Sequence, residues 1–452
     1  MSEVSGTITI DENQYREIFV GPKKVTIPND WDTAKLSEIA RDGDKTFIDG
    51  DWVESSDMVP GGEYQLIQLG NIGEGHFKSE CDKFVSEEFF NEKNCTLVEQ
   101  GDLLISRLAD PVLRTIIVPK FEKKSITAVD IVVAKVDEEN WSKEYICQLL
   151  NSKPLADAGN SLATGSTRQR ISRSNMSKIT IPRPSLPEQQ RIADILSTID
   201  EQIQQTDELI EETKALKRGL MQDLLIRGMN HDEYEERYLG PQKLEIPAEW
   251  EKSRLEDVSE IITRGKQPTY VEEGGVPVLN QSCIYWDGFH PEALKRLDKD
   301  VADGWKNKYW VKNGDVLINS TGKGTLGRAL EWTKESDIHA LDSHITRVHP
   351  DKSVLDPTYF RYYLESTHGQ KMLYAFCVAG STGQIELSKS DLQTMPILLP
   401  PVEEQREISE AFHRVNDKLQ DEQETKEDLQ ELKRGLKQDL LTGKKRVDPE
   451  EA

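Results

Sequence analysis

Short apolar runs recur early in the chain: "KVTIP", "YQLIQL", "GDLLISR", "TIIVP" and "DIVVAKV". Turn residues separate them, and the pattern predicts short β-strands. Two windows, "SKEYICQLLNS" and "PTYFRYYLEST", space their apolar residues as helices do. The mixture predicts α+β domains with a mixed or antiparallel sheet, not a βαβ winding. From Pro187 the period changes. Ile192, Leu196, Ile199, Ile203, Thr206, Ile210 and Thr213 step by four and three, the seam of a coiled coil, up to a C-cap near Gly228. A second such stretch carries Ile408, Phe412, Val415 and Leu419, turns polar at Glu422, and resumes with Leu429, Leu432 and Leu436. At 1.5 Å per residue, ~40 residues make a rod of roughly 60 Å.

This order of elements is written twice. "YREIFVGPKKVTIPNDWDTAKL" (Tyr15–Leu36) is echoed by "YEERYLGPQKLEIPAEWEKSRL" (Tyr234–Leu255), and "GDLLIS" from Gly101 by "GDVLIN" from Gly314. "TGSTRQ" from Thr164 returns as "AGSTGQ" from Ala379, and "ITIPRPSLPEQQRI" as "MPILLPPVEEQREI". The repeat divides the chain into a domain at 1–185, a helix at 186–228, a second domain at 229–400 and a second helical region at 401–452. The expected architecture is α+β: two pseudo-symmetric α/β domains separated by two long antiparallel helices forming a coiled coil. Pairing of the helices with another chain is the alternative, but a duplicated chain can build the two-fold arrangement of a DNA-binding dimer within one polypeptide.

The helices end in "LKRGLMQDLL" (Leu216–Leu225) and "LKRGLKQDLL" (Leu432–Leu441), which differ only at Met221 and Lys437. A buried stripe, expected at Leu216, Leu220 and Leu224, needs only the leucines to recur. The polar residues recur as well: Lys217, Arg218, Gln222 and Asp223 return as Lys433, Arg434, Gln438 and Asp439. A mid-helix glycine costs about 1 kcal/mol against alanine. The repeated pair Gly219 and Gly435 therefore suggests close helix approach or a partner pressed against it. Two copies of one docking surface are expected.

Composition adjusts this picture in two ways. Among 452 residues the formal net charge is −24, which taken alone argues against a nucleic-acid partner. Locally the sign inverts. Ala158–Pro187 has no acidic residue but holds Arg168, Arg170, Arg173, Lys178 and Arg183. Thr164 and Gln169 lie among them, a mixture suited to phosphates and base edges. Arg107 and Arg114 flank the preceding loop. The second half offers Arg264 and Lys266 in "TRGKQ", Lys323 and Arg328 in "STGKGTLGR", and Thr382 and Gln384 in "GSTGQ". The other solution is an ordinary solvated loop.

Catalytic patterns are missing. There is no [Asn/Asp]-Pro-Pro-aromatic tetrapeptide of an amino-methyltransferase, no Walker A motif, no H-E-x-x-H and no G-x-S-x-G. "GKGTLG" (Gly322–Gly327) fits G-x-G-x-x-G, yet "RALEWTKES" after it makes a short helix at best, too short for a dinucleotide-binding crossover. Five scattered cysteines and eight histidines give no metal-ligand spacing. No apolar run approaches ~18 residues, so a cytoplasmic protein without membrane association is expected.

With these motifs in order, the chain resembles the specificity subunit of type I restriction-modification enzymes. The resemblance covers essentially the whole chain: "IP-x-x-W", "GD-[LV]-LI", "G-S-T-x-Q", "P-x(3)-EQ…I" and "LKRGL-x-QDLL", each twice. "GDLLISRLADPVLR" departs from it by lacking glycines. The resemblance implies two target-recognition domains, each reading half of a bipartite asymmetric site in double-stranded DNA. It implies docking of two methylation subunits, with two motor-nuclease restriction subunits as further partners. The chain itself is then non-catalytic and carries no cofactor; S-adenosylmethionine, ATP and Mg belong to the partner subunits. A specificity subunit of a methylation-only system and a structural coiled-coil adaptor are the open alternatives.

Overall fold

The computed structural model describes residues 14–78, 81–108, 110–165, 168–334, 339–379 and 385–448. Packing groups the chain into two units: residues 1–207 with 425–452, and residues 208–424.

The first unit opens with a hairpin, Tyr15–Val20 against Lys23–Pro28. Its main sheet is antiparallel, in the order Phe47–Asp49, Ile131–Ala134, Leu103–Ser106, Thr115–Ile117. Leu103, Ile105, Val132 and Ala134 face one core, with Tyr145, Ile146 and Leu149 of the helix Lys143–Leu150. Leu104, Ile116, Ile131 and Val133 face another, with Ile67 and Val98. Both faces are buried, which is why "LLIS" and "IVVA" are continuously apolar rather than alternating. A smaller sheet joins Phe84–Val85, Tyr64–Ile67 and Ser125–Thr127, the last two parallel.

The second unit repeats this plan. A hairpin, Tyr234–Leu239 against Gln242–Pro247, precedes a sheet in the order Ser259–Arg264, Ile345–Pro350, Asp315–Asn319, Ala329–Trp332. A smaller sheet again contains one parallel pair, Val276–Leu279 with Ala340–Leu341. The two domains are pseudo-symmetric in topology as well as in sequence. One expectation fails here: "RALEWTKES" contains a strand, Ala329–Trp332, not a short helix. Its neighbour Asp315–Asn319 supplies a ladder, and Ala329 and Trp332 enter cores, so tertiary pairing overrides the local helix propensity of Ala, Leu and Glu.

The two long helices span Leu186–Arg227 and Val402–Leu441. In the first unit, Ile192 and Leu196 share a core with Leu440 and Leu441. Lys426 meets Asp207 at 2.6 Å and Lys433 meets Asp200, so one helix runs up as the other runs down. In the second unit, Met221 and Leu225 share a core with Ile408 and Phe412, and Thr213 donates to Glu422 Oε1 at 3.2 Å. Each domain core therefore takes the beginning of one helix and the end of the other. Gly228 and Gly443 stop the helices at φ +66° and +68°, a left-handed geometry that glycine adopts without strain.

The repeated Glu-Gln pair at each helix start now has a physical reading. Glu188 Oε2 accepts from Trp31 Nε1 at 3.1 Å, and Glu404 Oε2 accepts from Trp250 Nε1 at 3.0 Å. The neighbouring Gln189 Oε1 accepts from Ser142 N at 3.0 Å, and Gln405 Oε1 from Asp356 N at 2.8 Å. One residue pair thus fastens both the "IP-x-x-W" turn and a domain helix to each long helix.

Two helix expectations need correction. Leu216 and Leu432 are 51% and 50% exposed, while Met221 and Leu225 are buried. A straight helix drifts ~20° per heptad, so over four heptads the buried stripe moves on by nearly one residue. Gly219 and Gly435 make no close helix approach: a Cβ at either would meet nothing within 4 Å.

Candidate nucleic-acid interface and docking helices

In each domain, the strand ends of the main sheet set the candidate loops. In the first unit, Arg107 follows strand Leu103–Ser106 and Asp49 ends strand Phe47–Asp49. Arg107 is buried, ion-paired to Asp49, and its Nε donates to the Ile171 carbonyl at 3.2 Å. This corrects its placement as a DNA contact: the guanidinium is spent inside the domain, holding the segment that carries the exposed cations. Thr164 and Arg170 exchange backbone hydrogen bonds of 3.0 Å, closing a loop whose members Arg168 and Gln169 are exposed. Arg170 reaches Asp130 at 2.7 Å, and Arg173 donates to the Phe47 carbonyl at 3.2 Å while lying 3.6 Å from Asp49. Both stay solvent-accessible, with partners that orient them. Arg114 does not join this group. It lines a groove beside Lys433 and Lys437, and its Nε is buried with no hydrogen-bond partner among the described residues.

In the second unit, Arg264 donates from Nε to the Ser343 carbonyl at 2.7 Å and pairs with Glu386. Lys266 lies 5.4 Å from the Trp305 ring centroid. "GKGTLG" is a tight turn, with Leu326 N donating to the Gly322 carbonyl at 3.0 Å, and it leads into a strand. That geometry offers no helix N-terminus to a dinucleotide. Lys323 is exposed; Arg328 stacks 4.6 Å from the Tyr285 centroid and donates to the Gly324 carbonyl at 2.8 Å. Thr382 and Gln384 lie outside the described residues.

Sequence reasoning missed a polar and aromatic set beside this turn. Gln281 Oε1 accepts from Thr321 Oγ1 at 3.1 Å, and Thr321 Oγ1 lies 2.9 Å from His344 Nδ1. Asp342 accepts from His344 N at 2.7 Å and from Tyr270, whose phenol is pushed up by burial and by that carboxylate and so stays a donor. Tyr285 and Trp286 are exposed on the small hairpin Ile284–Tyr285/Gly288–Phe289. The signal was present: "YWDGF", a Trp286–Asp287 turn with Gly288 after it and aromatics around it, is a hairpin presenting ring faces. In the first unit, Trp52 is 69% exposed in a stretch without an echo.

The helix ends match at most positions. Leu216, Arg218, Gly219 and Gln222 are exposed, as are Leu432, Arg434, Gly435 and Gln438. Asp223 is exposed and Asp439 half-buried, paired with Lys445 at 3.3 Å. Lys217 turns inward to Glu365 at 2.9 Å, and Lys433 inward to Asp200. Among the described residues no group of three His, Cys, Asp or Glu side chains could hold a metal ion, and no helix is long and apolar enough to cross a membrane.

The sequence profile described as "Type I restriction modification DNA specificity domain" matches residues 28–215 and again 247–433. The chain belongs to this family. It is a type I restriction-modification specificity subunit, with the domain present twice. Among relatives, the type I restriction enzyme MjaVIII specificity subunit of Methanocaldococcus jannaschii is 26% identical over 72% of this chain and 75% of its own length. The MjaIX specificity subunit of the same organism is 23% identical over 89% and 88%. The EcoKI specificity subunit of Escherichia coli is 24% identical over 58% and 56%. The fold matches a solved chain from work on complex assembly and conformational transition of the type I R-M system, with TM-score 0.57, 17% identity, 92% of this chain and 99% of that one. It also matches the type I S subunit of M. genitalium, with TM-score 0.51, 15% identity, and coverage of 93% and 96%.

Proposed function

We propose that this specificity subunit recognises a bipartite, asymmetric site in double-stranded DNA, one half with each domain. It docks two methylation subunits, which bring S-adenosylmethionine and adenine-N6 chemistry; motor-nuclease subunits bring ATP- and Mg-dependent restriction. The chain itself acts in the cytoplasm by binding, without catalysis. The observation that carries this reading is the contrast between the two repeats. Exposed leucine, arginine, glycine and glutamine recur on both helix ends, while the turns after the matching strands read "RLADPVLR" in one domain and "STGKGTLGR" in the other. Equal docks suit equal subunits, and unequal loops suit unequal half-sites. Loop cations supply salt-dependent affinity and positioning; Gln169, Gln281 and the exposed aromatics offer base-edge and shape readout.

The test is co-expression with a type I methylation subunit from the same organism, followed by mapping of modified adenines across genomic DNA. A single split motif is expected. Methylation by the chain alone would overturn the non-catalytic reading, and absence of any partner-dependent modification would leave a structural adaptor.

A further inference from the structure

Each unit has a large groove at the same place in the repeat. In the first, of about 960 Å³, the end of the second long helix meets the segment Leu149–Asn160. In the second, of about 1430 Å³, the end of the first long helix meets the pseudo-equivalent segment Glu365–Tyr374. The walls correspond: Ser152 and Ser366 each precede a domain helix, and Lys433/Arg434 match Lys217/Arg218.

Both grooves invert the sign of the chain. Seven lysine and arginine side chains line the first against two carboxylates, and five line the second against two, in a protein of net charge −24. One carboxylate in each is already shared between two cations. Asp157 serves Lys23 at 3.1 Å and Lys153 at 3.2 Å; Glu365 serves Lys217 and Arg361, each at 2.9 Å. Arg218 and Arg434 are exposed and make no ion pair among the described residues. Between the cations the floors are apolar: Leu149, Leu155 and Leu441 in one, Met221, Leu419 and Tyr374 in the other.

We propose that the two grooves seat an acidic, partly apolar polypeptide segment, one copy in each, supplied by the docked methylation subunit. This rests on the docking reading above and adds the chemistry of what docks. Crowded cations over an apolar floor match carboxylates interleaved with apolar side chains, and a phosphate backbone has no use for the leucines and the tyrosine ring. The site is also duplicated along the repeated helix ends, with the same Lys-Arg pair in each. Lys437 adds support. It sits beside Lys433 with its Nζ donating to the Asn151 carbonyl at 2.9 Å, and burial with that neighbour holds its ammonium down to about 8. An incoming carboxylate relieves both effects.

The experiment uses the full chain with its methylation subunit and two sets of variants. Lys23→Glu with Lys153→Glu, and Lys371→Glu, reverse charge in the grooves away from the repeated helices. Leu216→Arg with Leu432→Arg instead blocks the exposed helix faces. Assembly is followed by sedimentation, DNA binding of the chain alone by fluorescence anisotropy on a duplex, and contacts by carbodiimide, which joins lysine amines to touching carboxylates. The groove variants are expected to weaken assembly at least tenfold, with DNA affinity unchanged, and Lys153 or Lys371 to crosslink to aspartate or glutamate of the methylation subunit. Normal assembly of the groove variants, while the leucine variants fail, overturns the acidic seat and leaves docking standing. Normal assembly of both sets overturns docking itself. Loss of DNA affinity with assembly intact makes nucleic acid the occupant and overturns the proposal.

Discussion

Lys437 is the one residue by which the second decapeptide departs from the first, and Met221 shows what the fold accepts there without a charge. Met221 is buried in the core of its unit, while Lys437 lies at the corresponding place in the other, its ammonium lowered from 10.5 to about 8, mainly by desolvation. The groups around it are Lys433 on its own helix, Asp200 on the other long helix, Cys147 on a domain helix and Glu74 on a loop. A shift of that size corresponds to about 3 kcal/mol. The sign follows from proton binding. Below pH 8 both folded and unfolded chains carry the charge, and folding bears the whole cost. Between pH 8 and 10.5 the folded chain sheds the proton while the unfolded chain keeps it, so stability rises with pH through that window. Lys437→Met should remove the cost, lose one hydrogen bond to the Asn151 carbonyl worth about 1 kcal/mol, and stabilise the first unit by about 1–3 kcal/mol at pH 7. The gain should shrink towards zero by pH 10.5. Amide hydrogen exchange of Lys143–Leu150, in the same unit, reads the difference without assuming that both units unfold together. A difference that stays constant from pH 7 to 10.5, or a variant less stable throughout, refutes the reasoning. The mirror substitution, Met221→Lys, should destabilise the second unit at pH 7.

Arg168→Ala with Arg170→Ala should weaken DNA binding about tenfold or more, through lost phosphate or base contacts, while partner assembly measured by sedimentation is unchanged. Loss of assembly instead would put that loop in a protein interface. Glu404→Ala should cost the second unit about 2–4 kcal/mol in urea denaturation, because Trp250 Nε1 at 3.0 Å and Met229 N at 2.9 Å lose their acceptor. A fragment of residues 1–228 lacks Leu440 and Leu441, each 3% exposed in the first core, and should lose about 1.5–3 kcal/mol for each leucine site. Adding a peptide of residues 425–448 should restore its thermal stability, and a fragment as stable as the same unit in the full chain contradicts the shared core.

The repeat, the strands and the long helices were legible because each leaves a local mark: turn residues around "GDLLIS", the change of period at Pro187, the glycine after Arg227. What was illegible depends on partners far along the chain. Nothing near Arg107 announces Asp49, 58 positions away, so a buried buttress resembled a DNA contact. Leu216 looked like core because a seven-residue step was extended without the drift of a real helix. "ALEW" read as helix because the strand that captures it is not part of the window. The cationic grooves could not be seen at all. Lys23, Lys153 and Lys433 stand hundreds of positions apart, and only the packing of a helix end on a domain brings them together.

The fastening of each helix start explains much of what the chain repeats. In each unit a carboxylate at the start of one helix holds the tryptophan of the "IP-x-x-W" turn and the tail that follows the other helix. Glu188 takes Trp31 and Arg446, the latter at 2.8 Å; Glu404 takes Trp250 and lies 2.7 Å from His231. Arg446 and His231 follow Gly443 and Gly228 by the same three positions, so each tail reaches its carboxylate by the same route. The constraint therefore falls on the helix starts, the helix ends and the turns they fasten, and the two halves agree in these segments as they do at "GD-[LV]-LI" and "G-S-T-x-Q". At the strand ends the constraint is confined to buried anchors such as Val112, Leu113 and Ile171, and the exposed side chains between them bear none. On the proposed function, a domain built this way can change its exposed strand-end loops while its helix ends and its groove remain fixed.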